Sequence, residues 1–370
     1  MQITREQIFF LRLKKSGLAV PHESAADCAV RLFGVQSQFQ QFSEISIFNR
    51  VQNITEDSLA ALFDSRDIIK LWGQRNTVHL FHKNDWKYVS AAYGNRNNFV
   101  TNFFKDNMES LKKGVGAIDR HGALKPLTKR DISEILNDAI PHVTHEYRDY
   151  AFILKATLEG ILFAVPARPH IKEYDHVSKV FKAKEIKEFK QLKQADAIKY
   201  IMQNYFTHYA PASFKDFLHW SGLTKKEAEP VFNKLKKDLA VFEYNKTPYY
   251  MFKDDEDIKI LKNKTNKSVV RLLGKFDPLM VSFSDKTWAM PKDKFKHVWR
   301  PAAHVEAVVI AGQKVAGTWR YAIKGKEINF EIFLFNTLAE DDKKLIKIEA
   351  EKIAKFLNKK IKSVTYKKVK

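Results

Sequence analysis

Ser213-Phe214-Lys215-Asp216-Phe217-Leu218-His219-Trp220-Ser221-Gly222-Leu223-Thr224 is the stretch on which the fold turns. Apolar side chains at helical spacing run over 212–220, Ser221-Gly222-Leu223-Thr224 interrupts them, and a second helical run occupies 225–237. A glycine in a short break between two such runs marks a helix-turn-helix. Two short apolar runs follow, 240–244 and 249–252, joined by Asn245-Lys246-Thr247-Pro248. They supply the β-wing that a helical hairpin used only for packing would not need.

Working outward, a similar order of helix, turn, helix and strand precedes this unit. Thr128 and Asp131 in Leu127-Thr128-Lys129-Arg130-Asp131 start a helix in the manner of a capping box, and a helix over 150–159, Gly160 and an apolar strand over 161–166 follow. A helix from Asp85 and a basic helix around 99–113 come before them. Further upstream, helices are expected at 5–16, 23–33, 43–50 and 56–64, closed by a strand at 75–81. From about 265 the texture changes to short β runs at 269–273, 308–310, 315–321 and 328–335, then a helix over 340–358 and a final strand at 363–366. The predicted fold class is α+β, tandem winged-helix domains followed by a small C-terminal β-barrel, with boundaries 1–82, 83–190, 191–262 and 263–370.

The chain has 370 residues, too many for one ordinary core, and 45% of them are hydrophobic. No apolar run approaches the roughly 20 residues of a membrane span, and Met1-Gln2-Ile3-Thr4-Arg5-Glu6 lacks the apolar core of a secretion signal, so a cytoplasmic protein is expected. The single cysteine, Cys28, rules out an internal disulfide and sits on an apolar helix face, as core. A formal charge of +21 and a pI near 9.6 attract polyanions, nucleic acid first. A composition bias toward lysine is the alternative explanation. An anionic membrane ranks lower, because the basic helix over 343–362 also carries acidic residues and a core-facing apolar stripe.

Gly34-Val35-Gln36-Ser37-Gln38-Phe39 carries the chemistry. On a continuous helix Gln36 and Gln38 would point about 200° apart, whereas extended chain sets them on one face. Gly34, after the apolar helix over 25–33, fits a left-handed C-cap that stops the helix before the glutamines. Two amides aimed at one point hold a water molecule by donor and acceptor contacts but accept no proton as a carboxylate would. Side chains bonding backbone at a helix end are the alternative. Arg75, Thr77 and His79 alternate along the strand at 75–81 and so would line one face, His79 binding phosphate or packing. Asp277 before Pro278 reads first as a turn residue and second as a site carboxylate. Trp319 and Arg320 belong to a hairpin whose tip would enter a minor groove, with burial of Trp319 as the alternative. Arg50, Lys225 and Lys226 complete the candidate DNA contacts. His142 and His145 lack a third ligand, and no phosphate-cradling loop, nucleophile elbow or dinucleotide fingerprint is present, so neither metal nor cofactor is expected.

Val35-Gln36-Ser37-Gln38, Arg75-Asn76-Thr77-Val78-His79-Leu80, the Trp-Ser-Gly-Leu of 220–223, Phe276-Asp277-Pro278-Leu279 and Val315-Ala316-Gly317-Thr318-Trp319-Arg320 together resemble the winged-helix DNA glycosylases of the AlkZ type over nearly the whole chain. The resemblance implies excision of N7-alkylated purines, bulky adducts and interstrand crosslinks included, from double-stranded DNA, with the Gln-x-Gln pair placing the attacking water. Gln38, where one branch has Asp, points to the crosslink-directed branch. Ser37 stands where an apolar residue is usual, and Asn76 where Gly or Pro is expected. No heptad seam suggests a dimer, so a monomer is expected. The competing readings are a non-catalytic winged-helix regulator and a metal-dependent nuclease, the latter short of clustered carboxylates.

Overall fold

The computed structural model describes residues 1–94, 100, 104, 107–166, 173–262 and 269–369. The chain forms two compact units, one made of Met1–Ala61 and Met202–Lys370, the other of Leu62–Ile201.

The first unit begins with α1 (Arg5–Lys15), opened by a capping box between Thr4 and Gln7. Helix α2 (Ala25–Leu32) buries Ala25, Cys28, Ala29 and Leu32 and ends at Phe33, which takes a left-handed φ of 43°, with Gly34 next at φ 102°. The helix therefore stops before the glutamines as expected, but the left-handed cap falls on Phe33. A short strand β1 (Val35–Gln36), α3 (Gln40–Phe48) and α4 (Glu56–Asp64) follow.

The second unit holds β2 (Ile68–Trp72), β3 (Val78–His82), α5 (Trp86–Tyr93), α6 (Met108–Leu124), β4 (Leu127–Thr128), α7 (Lys129–Ala139), α8 (Arg148–Leu158), β5 (Leu162–Ala164), β6 (Glu173–His176) and α9 (Ala183–Phe189). Within it the antiparallel sheet runs β3-β2-β5-β6-β4. The Thr128–Asp131 capping box forms as expected. Of the basic helix expected around 99–113, positions 99, 101–103, 105 and 106 lie outside the described residues, and 108–113 form the start of α6. Gly114 lets α6 and α8 approach closely, since a Cβ there would stand 2.4 Å from the Phe152 ring.

Asp85, beside α5, is 1% exposed; it accepts the Tyr200 hydroxyl at 3.2 Å through Oδ1, while Oδ2 has no hydrogen-bond partner among the described residues. Burial pushes its carboxyl up to about 7. The folded form thus holds its proton more tightly than the unfolded chain, so this group's contribution is greatest below about pH 4 and is lost as pH rises toward 7. Asp85→Asn should remove that decline. Thermal unfolding at pH 8 should show the variant more stable than the parent by as much as about 4 kcal/mol, with near equality at pH 4. Parallel pH profiles for the two chains would refute this assignment.

The first unit resumes within α10 (Gln194–His208) and continues as α11 (Phe214–Ser221), α12 (Lys225–Leu235), β7 (Leu239–Tyr244) and β8 (Thr247–Phe252). Capping boxes of Ser213 with Asp216 and Thr224 with Glu227 start the two helices, and Gly222 turns between them at φ 68°. Asn245 and Lys246, at φ 49° and 59°, make a tight two-residue hairpin tip. Asp216 is fully buried, caps its own helix, accepts Ser284 N at 2.7 Å and lies 3.6 Å from Arg12. The carboxylate fastens this helix pair to the rest of the unit.

Beyond it lie β9 (Arg271–Leu273), α13 (Pro278–Val281), α14 (Phe295–Val298), β10 (Trp299–Arg300), β11 (His304–Val305), β12 (Val308–Ala311), β13 (Lys314–Lys324), β14 (Glu327–Leu334), α15 (Glu340–Phe356) and β15 (Lys360–Lys368). The five-stranded sheet runs β15-β14-β13-β12-β9, antiparallel except where β15 joins β14 in parallel. Among the described residues nothing pairs β9 with β15, so an open sheet stands where a closed barrel was expected. Of the apolar stripe expected on α15, Ile346, Ile353, Ala354 and the following Leu357 are buried, whereas Leu345 and Ile348 are exposed. No helix among the described residues is long and apolar enough to cross a membrane.

Candidate active site

The left-handed turn at Phe33 and Gly34 releases the chain from α2, and α3 begins only at Gln40, so Gln36, Ser37 and Gln38 lie in non-helical backbone. Gln36 is 6% exposed and Gln38 is exposed. Ser37 is buried, and the Ser43 hydroxyl lies 3.0 Å from its own and 2.7 Å from the Gln40 carbonyl. The serine that replaces an apolar residue thus ties the motif to the first turn of α3. Gly274 permits close approach of β9 to this helix, since a Cβ there would stand 2.8 Å from the Phe42 carbonyl oxygen. Sequence reasoning missed Glu44, a buried carboxylate in α3 that accepts the Gln40 amide at 3.1 Å. Its i,i+4 spacing from Gln40 was the available signal.

Arg50 and Asp277 are both fully buried and form a forked ion pair, Nη1 to Oδ2 at 2.8 Å and Nη2 to Oδ1 at 2.6 Å. Ser46 donates to the same carboxylate at 3.0 Å, and Asp277 caps α13 by accepting Leu279 N at 2.9 Å. The expected DNA contact of Arg50 is corrected here, and of the two readings of Asp277 the first holds. Arg50 is sealed against a carboxylate and offers nothing to a phosphate. Asp277 is the turn residue of the first reading and lies beneath the surface, locking α3 to the segment after β9.

Trp319 is 2% exposed, donates its indole N–H to the Leu273 carbonyl at 2.8 Å and packs against Phe42 and Phe330. With Arg320 it sits opposite Ile332 and Glu331 in mid-strand, so the wedge expected of Trp319 is corrected to a core role. Arg320 is exposed, 2.5 Å from Glu331. The actual hairpin tip is Lys324-Gly325-Lys326, with Gly325 at φ 61°, and Lys359 donates to the Gly325 carbonyl at 3.2 Å. Lys225 and Lys226 are exposed in the first turn of α12, Lys225 lying 3.3 Å from Glu229.

In the second unit, the expected strand starts late. Arg75 and Asn76 both take φ 55° in a turn after Gly73, and β3 begins at Val78, so Arg75, Thr77 and His79 do not alternate along one strand. Asn76 occupies the left-handed site that glycine would otherwise fill. Thr77 Oγ1 donates to the Gln74 carbonyl at 3.1 Å. His79 is 3% exposed, with Nδ1 2.9 Å from the Thr77 carbonyl; burial, then the nearby Arg75 charge, lower its pKa to about 3. It is neutral at physiological pH and cannot meet a phosphate as a cation. Among the described residues no group of three or more His, Cys, Asp or Glu side chains is arranged to hold a metal ion, and His142 faces Ser110 at 2.9 Å.

A family model described as DNA glycosylase AlkZ-like matches residues 29–356 of this basic, two-unit chain. The protein is accordingly a DNA glycosylase, an enzyme of N-glycosyl bond hydrolysis. It belongs to the AlkZ-like DNA glycosylase family. Among solved structures, Streptomyces sahachiroi DNA glycosylase AlkZ is similar with a TM-score of 0.81 and 19% identity over 100% of each chain, a likeness of fold. No curated protein matches the sequence.

Proposed function

We propose that the enzyme hydrolyses the N-glycosidic bond of N7-alkylated purines in duplex DNA, bulky adducts and interstrand crosslinks included, with Gln36 and Gln38 orienting the attacking water. The observation that carries this reading is the release of the Gln-Ser-Gln stretch from helix and its fastening through Ser37 and Ser43. An N7-alkylpurine is already cationic. When its bond to C1′ breaks, the electron pair passes to the base, which leaves neutral, and the sugar becomes cation-like. Water then forms the new bond to C1′ and sheds its proton to solvent, leaving an abasic site. Neither a strong base nor an acid is needed, and amides that fix the water's position suffice.

In this reading residues 213–252 form a winged helix, and Lys225, Lys226, Lys324 and Lys326 meet phosphates, with Arg320 nearby on β13. Half-buried Arg75 adds positive charge to the second unit, and Thr77 holds the turn that carries it. The protein works as a monomer on DNA in the cytoplasm. Incubation with duplex containing N7-methylguanine or a nitrogen-mustard crosslink, in EDTA, should yield abasic sites. Tight binding without base release would favour the non-catalytic regulator instead. Affinity should fall with salt at a log-log slope of about −0.9 per phosphate neutralised. A flat salt response would remove the assigned lysine contacts.

A further inference from the structure

Phe39 directly follows Gln38 and is 45% exposed, an unusual placement for a phenyl ring. It occupies the N-cap position of α3, at φ −119° and ψ 98°, where Ser, Thr, Asp or Asn would satisfy a free amide and Phe satisfies none. The ring therefore serves neither the core nor the helix start. It rests on a built platform: Phe276 lies beneath it, nearly parallel at 16° with centroids 6.0 Å apart, and Phe42 and His304 meet it edge-on at 6.5 and 6.2 Å. Lys275 Nζ stands 5.6 Å from its centroid, contacts His304 at 3.2 Å and pairs with the Glu306 carboxylate at 3.3 Å. Phe276 is held at φ 56°, a strained conformation for a bulky residue, immediately before the buried Asp277 lock. Such strain persists only where surrounding structure enforces it, and it sets one aromatic ring under another beside the glutamines.

We propose that Phe39 is a positioning residue that stacks on the base of the damaged nucleotide and sets its glycosidic bond against Gln38. Every purine offers a flat π face, so a ring supported from below can take a base that has lost its neighbour in the duplex. The inference rests on the glycosylase reading above.

The test is a comparison of Phe39→Leu and Phe39→Trp. In single-turnover excision of N7-methylguanine, Phe39→Leu should be slower by about tenfold or more, and Phe39→Trp should recover most of the loss. In the Gln38→Ala background, where the base stays attached, Phe39→Leu should lower the preference for lesion over undamaged duplex by a similar factor, with affinity for undamaged duplex unchanged. The thermal unfolding midpoint of Phe39→Leu should fall only slightly, by the loss of its ring contacts, and Phe39→Trp should restore it. Excision by the parent chain together with an unchanged lesion preference in Phe39→Leu overturns the role of Phe39 alone. Absence of excision in the parent overturns the glycosylase reading first. Equal loss in Phe39→Leu and Phe39→Trp also overturns the stacking role.

Discussion

Gln38→Ala is expected to release N7-methylguanine from duplex DNA about a hundredfold more slowly than the parent chain, or worse. Removing one preorganised polar group that acts on a developing charge costs roughly 2.7 to 4 kcal/mol of barrier, and nothing in this motif can substitute as a base. Gln38 is exposed, so its truncation should leave the unfolding midpoint in place, and the loss should fall on the single-turnover rate with duplex affinity kept. Gln36 is 6% exposed, so Gln36→Ala should lose both rate and some stability. An unimpaired Gln38→Ala enzyme would take the water-holding role from the pair while leaving the enzyme class intact.

Asp277→Ala should destabilise the unit that contains it by about 3–5 kcal/mol, the range for stranding one member of a buried ion pair. Without the carboxylate, the fully buried Arg50 guanidinium keeps, among the described residues, only its bond to the Ser46 carbonyl at 2.8 Å, the Ser46 hydroxyl loses the Asp277 acceptor and α13 loses its N-cap. Urea unfolding reads the effect directly. Replacing Arg50 and Asp277 together by apolar residues of similar volume should recover much of the loss, because no buried charge is then left alone. A stable Asp277→Ala chain with a reduced excision rate would instead place Asp277 in the chemistry.

The helix pair and hairpin of 213–252 were legible because each boundary is written locally: serine and threonine caps answered three residues on by Asp216 and Glu227, Gly222 in the turn, and Asn245 at the hairpin tip. The halt of α2 was legible for the same reason. The strand expected at 75–81 started too early because Arg75 carries no sign of a left-handed backbone, and tertiary context alone sets it there. Trp319 and Arg320 were rightly given to a hairpin, and burial of Trp319 was the alternative that holds; the register that sets them opposite Ile332 and Glu331 depends on where Gly325 turns the chain. Least visible was the Arg50–Asp277 pair, whose partners lie 227 positions apart and whose types fit a DNA contact and a turn equally well. Phe39 lay in plain view within the motif, but its exposure and its parallel partner exist only in three dimensions.

The first unit is split in sequence, its N-terminal 61 residues parted from the remainder by the whole of Leu62–Ile201. During synthesis the glutamine motif therefore leaves the ribosome long before the strands and helices that complete its surroundings. At ordinary elongation rates of about 5–20 residues per second, more than ten seconds separate Arg50 from Asp277, an interval in which the whole of the intervening unit is synthesised. A nascent chain that stops short of Asp277 lacks the carboxylate that pairs with Arg50 in the folded unit, so chains terminated before that position are expected to show no excision activity.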